Sequence, residues 1–461
     1  MTRLPDEIVG DAQTSTFGWE TLQSLVDVGN RMAGQEGEAA GAEVVADAFE
    51  RAGLRGVKID EFDIPGWWRG SSSLELRGSH PRRHESQHEV LALPGSPSGT
   101  VSGPVVDVGD GTYEEFDAAA ADLEDAIALV SSNTPENADR WLHRMEKYVN
   151  AAEHGAVGFL FRNHIEGSLP PTGEVGYHNR PGPIPAVGVS KEVGERLVRY
   201  AENEVEFVIE LDVDCRNEPT KSRNVEGVLG PADAEQEVLV TAHVDAHDIA
   251  DGANDNGAGS ALVAEIGRLL AQVESDLDSR VRFVTFGSEE IGLWGAYHWA
   301  ESHDLDAVKC VLNVDGPANS RNVRVGTNGF DAMGEGFETV GEALDVPIQS
   351  GDTISPHGDQ WAFVQEGVPA VMATSTSEQS GRGWGHTHAD TLDKLDPRDL
   401  RDVATILAST AYYLASDDVE TPHRTREEIR DSIDAGYVTE LKMGGRWPYD
   451  DDARSGANEG R

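Results

Sequence analysis

The sequence predicts an α/β protein: a mostly parallel central sheet with helices on both faces, plus a smaller inserted α/β domain. Three observations carry this. From Val225 onward short apolar runs alternate with amphipathic stretches, the pattern of a parallel sheet wrapped by helices. Between about Val90 and Val213 the composition shifts to short strands, one clear helix and Gly/Pro loops. The 461 residues exceed what one hydrophobic core usually holds, so two domains are expected.

Residues 1–87 read as the first part of the main domain. Trp19, Leu22, Leu25 and Val26 share one helical face, and Ala40, Val44, Val45, Ala48 and Phe49 share another, with Gly53 as the stop. Residues 57–64 alternate as a strand. Trp67 and Trp68 follow a Pro65-Gly66 turn as packing anchors. His80, His84 and His88 recur every four residues, but Pro81 and the lack of apolar neighbours argue for a solvated loop. Residues 88–213 form the insert, with strands at 126–130, 157–161 and 184–190 and a helix at 141–154 closed by Gly155. Residues 214–418 carry strands at 238–242, 281–286, 308–314, 323–326 and 370–374. A helix after Gly257 buries Leu262, Val263, Ile266, Leu269, Leu270 and Val273. The last long helix starts at Asp396-Pro397, a cap followed by proline. Residues 419–461 are a charged, Gly-rich extension with one short helix at 424–433.

Acidic residues number 83 against 37 basic ones, for a net charge of −46. They are spread along the chain, so the whole surface is acidic, as in proteins of extreme halophiles. Such a surface repels itself unless salt screens it, to about 3 Å at 1 M. Nucleic acid and anionic membranes are poor partners for it. No apolar run reaches membrane-spanning length, and the first residues lack an apolar signal core, so a cytoplasmic protein is expected. Cys215 and Cys310 have no metal-like or redox-like spacing and read as apolar fillers. A homo-oligomer is compatible with this composition.

The chemistry lies at the strand ends, where open α/β sheets bind ligands. His243 and Asp245 follow the first of these strands, Gly287-Ser288-Glu289-Glu290 the second and Asp315 the third; His386 and His388 come in the loop after the last. Every one of these ends carries metal-compatible groups and none a cysteine. The set fits a pair of divalent cations. Asp255 bridges them, His243 and Asp315 serve one, Glu290 and His386 the other. Glu289 is then left over as a general base beside an activated water, and Asp245 orients the His243 imidazole.

Taken together, H-x-D, N-D-N-G-A-G, S-E-E-x-G-L-x-G, N-V-D-G and H-T-x-x-D-T resemble the co-catalytic zinc exopeptidases of the aminopeptidase Y and bacterial leucyl aminopeptidase type, relatives of glutamate carboxypeptidase. The segment E-H-G-A-V-G-F-L-F with I-P-A-V-G-V-S resembles the protease-associated domain that many members carry. The resemblance implies the zinc-exopeptidase fold and two Zn2+ ions, with Co2+ or Mn2+ as substitutes. It implies metal ligands His243, Asp255, Glu290, Asp315 and His386, with Glu289 as base. It also implies a cis peptide after Asp255. Asn256 departs from the Asp of many relatives, and His357 and Asp359 depart from their usual S-D-H spacing. His357, Asp359 and Trp384 are candidate substrate-side residues. The implied activity is hydrolysis of a terminal bond in a peptide or amide substrate, as an aminopeptidase. The alternatives are a carboxypeptidase or dipeptidase of the same family, or a non-catalytic receptor-like or glutaminyl-cyclase-like relative.

Overall fold

The computed structural model describes residues 2–178, 180–203, 205–376 and 384–449. In chain order, helices α1 (Asp6–Thr14), α2 (Phe17–Val28) and α3 (Glu36–Ala52) lead into the long strand β1 (Arg55–Gly78). Next come β2 (Arg82–His84), β3 (Val90–Ala92), β4 (Gly99–Gly103), β5 (Val105–Asp107), α4 (Tyr113–Leu123) and β6 (Ile127–Ser131). Then α5 (Arg144–Glu153), β7 (Gly158–Arg162), β8 (Ala186–Val189), α6 (Lys191–Glu202) and the second long strand β9 (Phe207–Leu229) follow. The chain continues through β10 (Glu237–His243), α7 (Ala258–Ala271), β11 (Arg280–Phe286), α8 (Trp294–Ser302) and β12 (Val308–Val314). It goes on with β13 (Val323–Gly326), α9 (Asp331–Leu344), β14 (Gln349–Gly351), α10 (Trp361–Val364) and β15 (Ala370–Ser375). Helices α11 (Pro397–Leu414), α12 (Arg426–Ser432) and α13 (Ala435–Met443) come last.

These elements form two units. The first comprises Met1–Ile64, Thr220–Ser380 and Asp390–Asp434; the second comprises Pro65–Pro219, Gly381–Ala389 and Ala435–Arg461. Strands β1 and β9 carry the chain from one unit to the other.

In the first unit the strands run in the order β14-β13-β15-β12-β10-β11-β9-β1. The four central strands β15, β12, β10 and β11 are mutually parallel, while β9 and β13 join them antiparallel. Every residue of β10 and β12 is buried, which is why they read as continuous apolar runs rather than as alternating ones. Helix α7 is the central support. Leu262, Val263, Ile266, Leu269 and Leu270 are wholly buried between the sheet and α2, α3 and α11. Helices α8 and α10 pack together, with Trp299 and Phe286 both against Phe363. Because the central strands are parallel, β10, β11 and β12 end at one edge of the sheet, and they deliver His243, Gly287 and Asp315 there.

The second unit holds a five-stranded sheet in the order β3-β8-β7-β6-β5, parallel except for the β3–β8 pair. Beside it β2 pairs with β1, and β4 with β9. This overturns the solvated-loop reading around His84: the side chain is buried in β2 with its Nδ1 2.9 Å from Glu89. Cys215 and Cys310 are both free thiols. No described helix is long and apolar enough to cross a membrane.

Candidate metal centre

The register of β10 sets the site. His243 stands opposite Phe286 of β11, and Thr241 opposite Asn313 of β12, where its hydroxyl donates to the Asn313 side chain at 2.7 Å. His243 is wholly buried, and the Ser260 hydroxyl holds its carbonyl at 2.7 Å. Its Nε2 makes no hydrogen bond and instead faces Asp255 Oδ1 at 3.4 Å and Asp315 Oδ1 at 3.5 Å. The other ring nitrogen lies 3.1 Å from the Asp245 carbonyl and 3.4 Å from its carboxylate. The main chain of Asp245 is thus at least as close to the imidazole as the side chain.

The Asp245 carboxylate has other work. It accepts the backbone N–H of Glu289 at 3.0 Å and that of Glu290 at 3.2 Å, so it fixes the turn after β11. That turn is tight. A Cβ on Gly287 would stand 2.3 Å from Ser222 Oγ and 2.5 Å from the Arg223 carbonyl, so only glycine fits. Ser288 takes a left-handed φ of 63°, an uncommon conformation of the kind that clusters at functional sites. Glu289 emerges half-buried and Glu290 buried.

Asp255 is presented by a separate device. The Asp390 carboxylate accepts the N–H groups of Asn254 and Asp255 at 2.9 and 3.0 Å. The Asp255–Asn256 peptide is cis. The Asn256 amide donates to the Val314 carbonyl at 2.9 Å and accepts from Gly259 N–H at 3.0 Å, which joins the first turn of α7 to the end of β12. An ionised Asp could make only the second of these bonds.

The electrostatics are those of a cation site. Burial pushes Glu289 up to about 8, reinforced by Asp315, Asp245 and Asp255 and opposed by His243. Burial and the charge of Asp255 raise Glu290 well above the usual carboxylate range. Burial disfavours charge on His243, yet Asp245, Asp255 and Asp315 outweigh it and hold its pKa well above the ordinary value. Carboxylates crowded in a buried space are stable when a cation joins them. The buried Nε2 facing two carboxylate oxygens is the donor set that zinc takes, so these residues fit a divalent metal.

The sequence reading did not anticipate His247. It is buried, with Nε2 2.9 Å from Glu290 Oε2. Its only signal is the second histidine of H-V-D-A-H. Asp359 is wholly buried with no hydrogen bond to either carboxylate oxygen, and burial together with the charge of Glu289 raises its pKa. His357 is half-buried. Trp384 and His386 belong to the second unit, where His386 is buried with Nδ1 3.3 Å from the Thr172 carbonyl. His388 is turned to other partners there: its ring lies 4.5 Å from that of His88 and its Nε2 2.9 Å from the Gln87 carbonyl.

Residues 224–411 match the model of Peptidase family M28, and residues 101–197 match that of the PA domain. The first of these parts of the chain is similar to peptidase family M28. Among solved structures the chain is similar to a peptidase M28 precursor from Shewanella amazonensis, at 26% identity and a TM-score of 0.76, covering 91% of this chain and 98% of that one. It is also similar to a zinc aminopeptidase from Bacillus subtilis, at 25% identity and a TM-score of 0.67, covering 86% and 94%. Human carboxypeptidase Q is 26% identical over 88% of this chain and 87% of its own length.

Proposed function

We propose that this chain is an M28-family zinc-dependent exopeptidase that removes residues from the amino end of peptides. The observation that carries the reading is the buried His243 Nε2, set between Asp255 and Asp315 at 3.4 and 3.5 Å. The similarity to a zinc aminopeptidase supports the metal and the polarity of the cleavage. In this reading His243, Asp255, Asp315, Glu290 and His386 would be the residues that hold two zinc ions, with Asp255 serving both. His386 takes its role from the family pattern. Co2+ or Mn2+ can substitute.

Zinc, when bound, lowers the pKa of water towards about 7 and polarises the scissile carbonyl. The chain's own residues do the rest. Glu289 takes a proton from the attacking water and passes it to the leaving amine. With cations bound, the charged form of Glu289 is favoured again, against the burial that otherwise raises its pKa. Asp245 keeps Glu289 and Glu290 in place through their N–H groups. Asp359, His357 and Trp384 are proposed substrate-side residues.

Carboxypeptidase action is the second reading, favoured by the similarity to carboxypeptidase Q. One assay separates them. At high salt, aminoacyl-p-nitroanilides with a free amine, their N-acetylated forms, and N-blocked peptides ending in a free carboxylate are compared, with and without chelator. The aminopeptidase reading expects turnover of the free-amine substrates alone, abolished by chelation. Turnover of only the N-blocked peptides would reverse the assignment. Turnover that survives chelation and zinc stripping would remove the metal from the account.

A further inference from the structure

Arg31 follows α2 and is wholly buried, yet among the described residues it makes no ion pair. Its guanidinium is spent on backbone carbonyls. Nε donates to Val244 at 3.0 Å, Nη1 to Leu25 at 2.9 Å and Asp251 at 2.8 Å, and Nη2 to Gly252 at 2.9 Å. Its own carbonyl accepts the N–H of Ala246 at 3.1 Å. Val244 and Ala246 lie one and three residues after His243, and Asp251 and Gly252 precede the Asn254-Asp255 pair with only Ala253 between. One side chain therefore holds both ends of the loop that connects the imidazole to the proposed bridging carboxylate. The loop is closed tightly around it. Gly252 has a left-handed φ of 58°, and a Cβ there would stand 2.3 Å from the Ala246 Cβ and 3.0 Å from Arg31 Nη2. Asp390 grips the far end through the N–H groups of Asn254 and Asp255.

We infer that Arg31 is a positioning residue of the metal centre, fixing the separation of His243 and Asp255 by clamping the 244–252 loop; this rests on the zinc-centre reading above. A planar fork of donors suits this task. Lysine offers a single point of charge and cannot span carbonyls on both sides of the loop. The charge has a second use, since Asp390, Asp245, Asp251 and Asp255 all favour it against the cost of burial, and it remains at neutral pH.

The test uses the full chain at high salt, with zinc alone as probe. Zinc affinity is read by competition with a chromophoric chelator, beside kcat and KM. Arg31→Lys and Arg31→Gln should weaken zinc binding by about 10- to 100-fold and lower kcat by a similar factor with KM little changed. Lys309→Met is the control: Lys309 is also buried, and it donates to the Ser416 carbonyl away from the centre. It should lose stability and keep zinc affinity within about 2-fold, as distant sites act independently. Unchanged zinc affinity in both Arg31 variants, or an equal loss in Lys309→Met, would overturn the inference. A parent that binds no zinc would instead overturn the metal-centre reading. A measurement on the unmutated chain needs no variant to fold. Hydrogen exchange should find the Ala246 amide, which donates to the Arg31 carbonyl, as protected after zinc removal as before. Exchange as fast as in exposed loops would mean that the metal, and not Arg31, organises the segment.

Discussion

Glu38 shows what burial does to one carboxylate beside the centre. It is wholly buried, accepting from the Ser222 hydroxyl at 2.5 Å and from Gly34 N–H at 2.9 Å. Burial, helped by the charge of Asp245, pushes it up to about 8 from the ordinary 4.5. Between those values the folded chain keeps a proton that the unfolded chain gives up, so folding stability falls as pH rises through this window. Glu38→Gln should flatten that fall, read as the change in denaturation midpoint between pH 5 and pH 9; equal slopes for parent and variant would contradict it. Asp245→Asn should be more severe for function. The amide offers one oxygen where the carboxylate offers two, so one of the Glu289 and Glu290 N–H groups loses its acceptor. A fall in kcat of about 10- to 100-fold is expected, checked by steady-state kinetics on zinc-loaded protein. At this scale the sequence was informative where chemistry sits on side chains at strand ends. It brought His243, Asp255 and Asp315 into view, and the structure sets these together. It was silent on Arg31, because backbone carbonyls leave no residue signature. The partners of Asp390 were equally hidden, since they are backbone N–H groups.

At the scale of elements, α7 and β10 make the site and were legible from apolar periodicity and continuous burial. The long strands were not. β1 runs from Arg55 to Gly78 through Pro65-Gly66, which as a dipeptide signals a turn. Proline is tolerated in a strand where its missing N–H faces away from a partner, and sequence alone does not show which residues those are. The same limit hid β2 and the burial of His84. The start of α7 offers a prediction. Asn256→Ala removes the acceptor for Gly259 N–H and the donor to the Val314 carbonyl, both buried. Loss of such bonds should cost about 1–3 kcal/mol, measured by denaturant unfolding at high salt. A change below about 0.5 kcal/mol, the range of ordinary surface substitutions, would show that the join between α7 and β12 is not held here.

For the whole molecule the dominant quantity is charge. A net −46 on 461 residues repels itself over about 30 Å at 0.01 M salt but only about 3 Å at 1 M. We propose that the surface is adapted to high salt. The thermal midpoint should then rise steadily as NaCl is raised from dilute buffer to molar levels, and full stability in dilute buffer would contradict it. The same charge bears on the centre. Buried carboxylates in an acidic chain make a strong case for bound cations, and that case stands or falls on what Glu289 does once they are present. The most direct measurement is the turnover of zinc-loaded Glu289→Gln beside the parent at high salt. The account predicts unchanged zinc content with kcat reduced by about 100-fold or more, the share of a general base. Full zinc content with kcat within a few-fold of the parent would contradict it.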